Sequence, residues 1–504
     1  MRIAIIGSGI SGIAAARVLS RAGHEVAVLE RSNAIGGIWA LAYPEVRLQN
    51  IAEHYRLTDF PWPFTPDLHP TGEQIRRYLK AAVDNFHLDV RLRHDVTALH
   101  EEPDGWRVDV RTPEGERSER HDHVVVAVGH YSQEKPALPL AGQDRFRGRV
   151  LTEREVVDLD VLANKRVAVV GFGKSAVDMA AFAVERGSQV HHVFREPRWL
   201  LPKYLFGVHM TNVMFGRLST AMLPSWVHPS RAEATLHGRF RPVVSGFWKM
   251  VTALVRVQTG LHELWRDPEV RARMRLLEPE QSVTYQMRAA TALAPEAYYP
   301  SVIKGHILPY RSEISGLSED ALLLADGRGI PCDLVVLAVG HKTPGFPFLP
   351  EPYRRLMESD SDGAPLYRHV VHPRIPRLSF AGFNHGLLHV PGVEIAMLWV
   401  HAHLTGDLKL PPIEEMERSA ERVRDWKREH TLFEPSRSYG IATRFHQYLD
   451  VMLGDLGVSP YRKQGRLAEL VGPYTAADYA GVFEEYERAR AGRTEPRTPL
   501  PLDT

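Results

Sequence analysis

Two stretches of the chain repeat one succession: a short apolar run, a glycine-rich turn, and a longer segment with helical spacing of apolar residues. The first stretch, RIAIIGSGISGIAAA, covers residues 2–16, and the second, RVAVVGFGKSAVD, covers residues 166–178. Each apolar run is rich in β-branched residues, which is typical of a buried parallel strand. Another apolar run follows each helical segment, EVAVLE in the first case and SQVHHVFRE in the second. The pattern predicts an α/β fold with two Rossmann-like dinucleotide-binding domains.

The first turn carries Gly7, Gly9 and Gly12 in the spacing G-x-G-x-x-G. Glycines at this spacing allow a tight turn, close approach of the backbone to a pyrophosphate, and packing of the helix on the strand. The N-terminus of the following helix offers free N–H groups to the phosphates. Glu30 lies eighteen residues after Gly12, where an acid hydrogen-bonds a ribose hydroxyl. The complete set predicts a dinucleotide site, and a glycine-rich loop without a ligand is the alternative.

The second turn has Gly171, Gly173 and Ala176 as G-x-G-x-x-A. Eighteen residues after Ala176 stands Phe194 instead of an acid, and Arg195 follows it. An acid there would repel a 2′-phosphate, whereas a guanidinium pairs with it bidentately. The second site is therefore predicted to prefer NADPH to NADH. The alternative is that Arg195 is a solvated charge at the end of a strand.

A further internal repeat supports two linked nucleotide domains. The stretches DHVVVAVGHYS (residues 122–132) and CDLVVLAVGHKT (residues 332–343) are both buried-strand patterns that end in AVGH. Gly129 and Gly340 are expected to let the chain turn close against a bound cofactor.

The segments outside these patterns are predicted to be mainly helical. Residues 204–282 contain amphipathic stretches, which fit a substrate-covering lid, a dimer surface, a membrane-touching patch or a packed helical insertion. From Pro411 the chain continues with two charged helical patterns, and the final stretch RTEPRTPLPLDT is predicted to be disordered.

Composition narrows the class of protein. The 504 residues suffice for two or three domains, and a formal net charge of +1 gives no general attraction to nucleic acid. The single cysteine, Cys332, can form no intramolecular disulfide, which favours a reducing compartment and rules out redox chemistry by a cysteine pair. No apolar run reaches the length of a membrane span, and no metal-ligand spacing is present. These features predict a soluble, cytoplasmic protein without a metal, and they leave a homodimer open.

The chain resembles the flavin-containing monooxygenases, the class B flavoprotein monooxygenases, from about Met1 to Pro412. The resemblance is carried in order by six stretches: ERSNAIGGIW, VRLQNIAEHYRLTDFPWP, GFGKSAVDMA, VFREPRWLLPK, LYRHVVHPRIPRLSFAGF and VEIAMLW. It implies a discontinuous FAD-binding domain over residues 1–157 and 310–412. It also implies an NADPH-binding domain over 158–309, with a helical insertion at about 204–282, and a helical C-terminal extension and tail over 413–504.

By this resemblance, FAD occupies the first turn and NADPH the second. The implied function is insertion of one oxygen atom of O2 into a small organic substrate, by N- or S-oxygenation through a flavin C(4a)-hydroperoxide. A Baeyer–Villiger oxygenase, a flavoprotein NADPH reductase with an external acceptor, and a nucleotide sensor without turnover are the alternatives. The implied cofactor-binding residues are Gly7, Gly9, Ser11, Gly12, Glu30, Gly37, Ile38, Trp39, Gln49, Asn50, Gly129, Gly171, Gly173, Lys174, Ser175, Ala176, Arg195, Gly340 and Gly382.

Two positions have more specific expectations. Asn50 is the candidate catalytic residue, because an amide there is suited to donate a hydrogen bond to the oxygen bound by the flavin or to retained NADP; closing a turn is its alternative role. The family's signature F-x-G-x-x-x-H, followed by an aromatic residue, is here FRGRVLTEREVVD. Thr152 replaces the histidine and Val156 the aromatic residue, which predicts imperfect coupling, with some hydrogen peroxide released.

Overall fold

The structure, a computed structural model, describes residues 1–136, 138–223, 227, 230–287, 292–358, 363–431, 440–441 and 443–501. Its strands are β1 (Arg2–Ile6), β2 (Glu25–Glu30), β3 (Asp89–Leu92), β4 (Asp95–Glu102), β5 (Gly105–Thr112), β6 (Gly115–His121), β7 (His123–Val126), β8 (Arg149–Thr152), β9 (Arg166–Val170), β10 (Gln189–Phe194), β11 (Leu200–Leu201), β12 (Tyr204–Leu205), β13 (Val208–His209), β14 (Ala292–Leu293), β15 (Ile307–Arg311), β16 (Ile314–Leu317), β17 (Ala321–Leu324), β18 (Gly329–Pro331), β19 (Leu334–Leu337) and β20 (Leu378–Phe380).

In the described parts of the chain, the α-helices follow one another without an intervening strand over residues 210–287 and again over residues 389–491. They are α1 (Ile10–Arg21), α2 (Ile38–Leu41), α3 (Gly72–Phe86), α4 (Lys174–Glu185), α5 (Met210–Met214), α6 (Arg217–Ala221), α7 (Arg231–Gly238), α8 (Arg241–Thr259), α9 (Pro268–Leu276), α10 (Val283–Met287), α11 (Tyr298–Ile303), α12 (Glu351–Glu358), α13 (His389–Leu404), α14 (Ile413–His430), α15 (Phe445–Leu456), α16 (Arg466–Val471) and α17 (Val482–Ala491).

Two five-stranded parallel sheets form the framework. The first has the order β20-β7-β1-β2-β3 and the second the order β15-β10-β9-β19-β8. In both sheets, the strand before the glycine turn (β1 or β9) lies between the strand that follows its helix (β2 or β10) and the strand that ends in AVGH (β7 or β19). A three-stranded antiparallel sheet precedes each AVGH strand, β4-β5-β6 in the first unit and β16-β17-β18 in the second. The predicted pair of Rossmann-like units is confirmed.

Alternation along the central strands explains how each sheet is covered. In β1, Ile3 and Ile5 belong to the apolar core that includes α1 and α13, whereas Ala4 and Ile6 belong to the core beneath β4-β5-β6. Successive side chains of a strand point to opposite faces, so an unbroken apolar run is required where both faces are covered.

Sheet membership divides the chain differently from the family resemblance. Strands β8 and β19 belong to the second sheet, so a division by sheets runs from Arg149 to Leu337 rather than from 158 to 309. In its described residues, the predicted insertion contains the β12–β13 hairpin and the helices α5 to α10. Among the described residues, no helix combines the length and apolar character needed to cross a bilayer.

The expectation of a disordered tail is wrong for the residues that the structure describes. The backbone N–H of Leu500 donates to Asp455 Oδ1 at 2.7 Å, and Arg497 Nε donates to the carbonyl of Asp455 at 3.0 Å. Asp455 also accepts hydrogen bonds from Arg368 Nε and from the indole of Trp399, both at 3.0 Å. The tail is thus bound by a buried ion pair between the first unit and α15. Residues 502–504 lie outside the described residues.

Removal of this carboxylate is expected to destabilise the protein strongly. The side chains of Arg368 and Asp455 are 2% and 0% exposed, so Asp455→Ala leaves a buried guanidinium without its counter-charge. We expect the free energy of unfolding, measured in urea, to fall by about 3–5 kcal/mol. The control is Asp84→Ala, which breaks the exposed pair with Lys80 and is expected to cost less than about 1 kcal/mol. Equal effects of the two changes would contradict a stabilising role for the buried pair of Arg368 and Asp455.

Candidate functional site

The glycine turn after β1, called here the first cradle, has no room for side chains on its inner side. A Cβ on Gly12 would lie 1.9 Å from the carbonyl oxygen of Gly7, and one on Gly7 would lie 2.6 Å from that of Ala127. Gly7 has φ +108°, a backbone conformation that favours glycine. Gly9 precedes α1, whose first turn carries no acid, so the helix N-terminus is suited to an anion.

Glu30 is held at the end of β2 by the same turn. Its Oε2 accepts hydrogen bonds from Ser8 N at 2.8 Å and from Ser8 Oγ at 2.9 Å, and its Oε1 accepts one from Ser32 N at 2.8 Å. The carboxylate is buried, and a carboxylate has lone pairs beyond these three contacts. Burial and fixed orientation make it ready to accept ribose hydroxyls. The tight turn and the oriented acid together fit the dinucleotide part of FAD.

A second glycine pair approaches this turn from the adjoining loop. Gly37 has φ +55° and precedes α2; its Cβ would lie 3.0 Å from the Cα of Gly9. In α2, Ile38 is followed by Trp39, whose indole N–H donates to Tyr55 OH at 3.0 Å. The loop that resembles the family's GGIW stretch is therefore placed directly on the first cradle.

Ser11, in the first turn of α1, contacts the distant return segment of the chain. Its Oγ shares a hydrogen bond of 2.9 Å with His389 Nε2. Gly382 lies against the same hydroxyl, because a Cβ there would come within 2.4 Å of Ser11 Oγ. Burial lowers the pKa of His389 well below its usual value, and the nearby His385 and His130 lower it further. The imidazole at this junction is therefore neutral at physiological pH.

The stretch LQN contacts two distant parts of the chain, one in the first unit and one in the second. Asn50 Nδ2 donates to the carbonyl of Leu387 at 2.6 Å, and Gln49 Oε1 accepts from the backbone N–H of Leu293 at 2.8 Å. Asn50 is half-buried, and an amide has two N–H donors, so one remains after the contact with Leu387. The side chain is fixed in orientation and retains a donor.

The turn after β9, the second cradle, repeats the geometry of the first. Gly171 has φ +118°, and a Cβ on it would lie 2.3 Å from the carbonyl oxygen of Ala338. Ala176 is fully buried at the position of the third glycine. Gly173 precedes α4, and a Cβ there would meet nothing within 4 Å, so this side of the turn is open. The open side is where a pyrophosphate would approach.

Side chains at the start of α4 connect the second cradle to the first unit. Lys174 Nζ forms an ion pair with Asp178, and Tyr43 OH donates to the same carboxylate at 2.7 Å. Burial raises the pKa of Tyr43 far above its usual value, with the charge of Asp178 adding to the shift and a hydrogen bond from Ser175 opposing it. Tyr43 thus stays protonated and acts as a donor across the two units.

Arg195 lies one residue beyond β10, with its side chain exposed. The end of β10 adjoins the second cradle, because the N–H of Gly171 donates to the carbonyl of Val193 at 2.9 Å. The structure therefore brings Arg195 to the edge of the sheet where the glycine turn lies.

The two AVGH loops contact each other between the units. Gly129 has φ +70° and Gly340 has φ +92°. Lys135 Nζ donates to the carbonyl of Gly340 at 2.8 Å, and Lys342 Nζ donates to Glu134 Oε2 at the same distance. The loops that follow the equivalent strands of the two sheets thus lie side by side.

Thr152 is the last residue of β8, and its polar groups form hydrogen bonds within the turn that follows. Its Oγ1 donates to Glu155 Oε2 at 2.8 Å, and its N–H donates to the same oxygen at 2.7 Å. The hydroxyl is thus used within its own turn. Imperfect coupling of NADPH consumption to oxygenation, with release of hydrogen peroxide, stays a prediction.

Several contacts in the site have no clear signal in the sequence. His192 Nε2 contacts the carbonyl of Gly171 at 2.6 Å and its Nδ1 contacts Tyr298 OH at 2.7 Å, so this buried ring fixes the second cradle from behind. Tyr43 is equally hidden in sequence, since nothing marks it as a partner of a residue 135 positions away. Ser8 occupies a variable position of the motif.

Within the part of the chain that the structure describes, no group of His, Cys, Asp and Glu is arranged to hold a metal ion.

Comparisons with known proteins agree with this geometry. A family model described as "Flavin-binding monooxygenase-like" matches residues 1–240 and 281–467. The chain is 28% identical to a probable flavin-containing monooxygenase 1 of Arabidopsis thaliana, over 96% of this chain and 97% of that protein.

Among solved structures, an S-allyl-L-cysteine S-oxygenase from Allium sativum has a TM-score of 0.62 at 19% identity, covering 98% of this chain and 94% of its own. A cyclohexanone monooxygenase from Rhodococcus sp. Phi1, bound to NADP+, has a TM-score of 0.66 at 18% identity, covering 90% of this chain and 97% of its own. At these identities the two structures support the fold.

The fit of FAD to the first cradle can be tested with a substitution that adds a single methyl group to the turn. Gly12→Ala places a Cβ against the carbonyl of Gly7, so we expect the purified variant to have lost its flavin absorbance. Gly173→Ala is the matched control: its Cβ fits the second cradle, so the flavin content is expected to match that of the wild type. Retention of stoichiometric flavin by Gly12→Ala would contradict the assignment.

Proposed function

The chain belongs to the flavin-binding monooxygenase-like family, and from this membership we propose that it oxygenates the nitrogen or sulfur of a small organic substrate. It is an FAD- and NADPH-dependent monooxygenase. The observation that carries the proposal is the presence of two complete cradles in one chain, connected through Tyr43 and Asp178. A protein that only binds one nucleotide needs one such turn, whereas transfer of hydride between two cofactors needs both.

The fate of the electrons distinguishes an oxygenase from a disulfide reductase. The single cysteine, Cys332, is buried in β-sheet surroundings, and burial raises the pKa of its thiol to about 11. A neutral thiol without a second cysteine cannot accept the electrons. Bound FAD would supply the redox chemistry, namely acceptance of hydride from NADPH and activation of O2, with one oxygen atom passing to the substrate and the other leaving as water after uptake of a proton from solvent.

The chain's own residues have distinct proposed parts in this reaction. Glu30 binds a ribose of FAD, and the N-termini of α1 and α4 hold the two pyrophosphates. Arg195 pairs with the 2′-phosphate of NADPH. Asn50, oriented by Leu387, directs its second N–H toward the reacting oxygen.

The substrate is proposed to be an amine or a sulfide. A 25%-identical relative from Oryctolagus cuniculus is named a dimethylaniline monooxygenase (N-oxide-forming), and the similar structure from Allium sativum is named an S-oxygenase. Product mass measured with amines, sulfides and ketones separates this proposal from Baeyer–Villiger oxygenation. Incorporation of 18O from labelled O2 separates both from a reductase that serves an external acceptor.

One chain supplies both cradles, so the reaction as proposed does not require a homodimer. The cytoplasm is the proposed location, since one buried cysteine fits a reducing compartment.

Arg195 is expected to discriminate between the two nicotinamide cofactors. A lost hydrogen bond to a charged group is worth about 1.5–3 kcal/mol, or roughly ten- to a hundredfold in binding. Arg195→Ala should therefore raise the KM for NADPH by that factor and change the KM for NADH little. Steady-state kinetics with both cofactors measures this, and Arg147→Ala, at another exposed arginine, is the control. An equal response of both KM values would overturn the role of Arg195.

Asn50 is expected to act after the flavin has been reduced. In Asn50→Ala, FAD content and the rate of flavin reduction by NADPH should stay close to wild type, while oxygenated product per NADPH falls by about tenfold or more. Stopped-flow absorbance follows reduction, and product mass follows oxygenation. An unchanged product yield would leave Asn50 with the role of fastening the loop at Leu387.

A further inference from the structure

Two buried histidines join the insertion to the loop that runs beside the LQN stretch (residues 48–50). His69 Nε2 and His209 Nε2 lie 3.1 Å apart, and each residue is 8% exposed. His69 belongs to the loop before α3, where the next residue, Pro70, accepts a hydrogen bond from the N–H of Leu48 at 2.9 Å. His209 ends β13 and caps the N-terminus of α5. The pair therefore connects the LQN stretch to the start of the insertion.

The partners of the two rings determine where their hydrogen atoms lie. His69 Nδ1 is 3.1 Å from the carbonyl oxygens of both Leu48 and Asn50, which can only accept, so this nitrogen is the donor. In a neutral ring its Nε2 is then an acceptor, and His209 Nε2 must donate to it. His209 Nδ1 is left as an acceptor, and the N–H of Thr211 donates to it at 3.3 Å. Two neutral rings thus satisfy every contact.

A third hydrogen on the pair has two places, and each removes a contact. On His209 Nδ1 it would face the N–H of Thr211, which would lose its acceptor and with it the cap of α5. On the second Nε2 it would set two N–H groups against each other at 3.1 Å. The arrangement therefore excludes protonation of either ring without loss of a hydrogen bond.

The surroundings of the pair also oppose a positive charge. Burial is the main cause that lowers the pKa of both rings, and the charge of Lys203 lowers both further. The amine of Lys203 has a partner in the exposed carboxylate of Glu296, at 3.4 Å. A third ring, His54, lies nearby, and its pKa is lowered to about 3 by burial first and then by the charge of His209.

The remaining titratable neighbours do not reverse this effect. Arg47 Nη1 donates to the backbone carbonyl of His69 at 3.1 Å and pairs with the exposed Asp67 at 2.5 Å. Tyr204 packs edge-on against His209, with ring centroids 5.0 Å apart. Because the folded state lowers both histidine pKa values, the stabilisation by this contact is present above about pH 6.5 and is lost as the pH falls below it.

We propose that His69 and His209 are positioning residues, which fasten the LQN stretch to the insertion while both rings are neutral and release it when they are protonated. The other two contacts of this stretch, at Leu387 and Leu293, contain no titratable group, so acid does not act on them directly. Because Asn50 is the proposed donor to the reacting oxygen, the release should lower oxygenated product per NADPH below about pH 6.5. This consequence rests on the proposed function, whereas the contact itself does not.

Hydrogen exchange of the full-length, FAD-loaded protein, followed by mass spectrometry, tests the contact. Rates are corrected for the intrinsic pH dependence of amide exchange. Residues 205–215 should then exchange at least about tenfold faster at about pH 5.5 than at about pH 7.5, because a released histidine of ordinary pKa is mostly protonated at the lower pH. The core strand β9 should show no such change.

His69→Asn and His209→Asn break the contact from either side. Asparagine keeps the donor that His69 offers to the LQN backbone and the acceptor that His209 offers to Thr211, but it is too short to reach the opposite ring. Both variants should exchange faster than the wild type over residues 205–215 at about pH 7.5 and should gain little further in acid. His24→Asn is the matched control, since it removes a different contact between two histidines, at 3.0 Å to His401, and should respond to pH like the wild type.

Three exchange results would overturn the proposal: no pH response of residues 205–215 in the wild type, an equal acid response in His69→Asn, or equal acceleration in β9, because acid would then open the whole fold. In the wild type, oxygenated product per NADPH should fall in acid. In His69→Asn it should be lower at neutral pH and should not fall further. Exchange reports on the contact even if no oxygenated product forms, so failure of this proposal can be distinguished from failure of the proposed function.

Discussion

The fold depends on a close contact between two backbone segments, and each of the two units contains one such contact. In the first cradle, the inner side of Gly7 faces the carbonyl of Ala127, and in the second, Gly171 faces the carbonyl of Ala338. Matching hydrogen bonds surround both places: the N–H of Ala127 donates to Ile6 at 2.9 Å, and that of Ala338 donates to Val170 at 2.8 Å. A side chain at either glycine would force the AVGH strand away from its neighbour. The pairing of these strands and the shape of the phosphate turn are therefore one constraint.

Upon this shared framework, the two cradles differ at two equivalent positions. Ser8 and Glu30 in the first cradle hydrogen-bond each other. Their counterparts in the second are Phe172 and Phe194, whose rings pack edge to face at 4.5 Å. The polar pair presents a carboxylate to a ribose, whereas the aromatic pair removes that charge and leaves Arg195 as the next residue. Exchange of one polar pair for an apolar one thus changes the nucleotide that the same backbone is suited to bind.

The sequence predicts those features that depend on residues close together in the chain, and it does not predict those that depend on contacts between distant residues. The strand–turn–helix units and Gly7, Gly12 and Gly171 follow from spacing alone, because local sterics dictate them. The contact of Ser11 with His389 spans 378 positions and depends on how the return segment packs, which no local pattern encodes. The prediction of a disordered C-terminal tail was wrong for the same reason. The polar and proline-rich composition of the tail is typical of disorder, but Asp455 accepts a hydrogen bond from its backbone.

The segment from Tyr43 to His69 shows how the two units are coupled. It belongs to the first unit in sequence, yet Tyr43 contacts Asp178, Gln49 contacts Leu293, and His69 Nε2 contacts His209 Nε2 at 3.1 Å. Each contact joins a residue within or beside the stretch VRLQNIAEHYRLTDFPWP (residues 46–63) to the second unit or its insertion. Tyr43 and Asp178 are both buried, so loss of their hydrogen bond would leave a buried carboxylate without one of its partners. Tyr43 also packs in the apolar core of the second unit, so the segment fixes the position of one unit against the other, between which a hydride must pass.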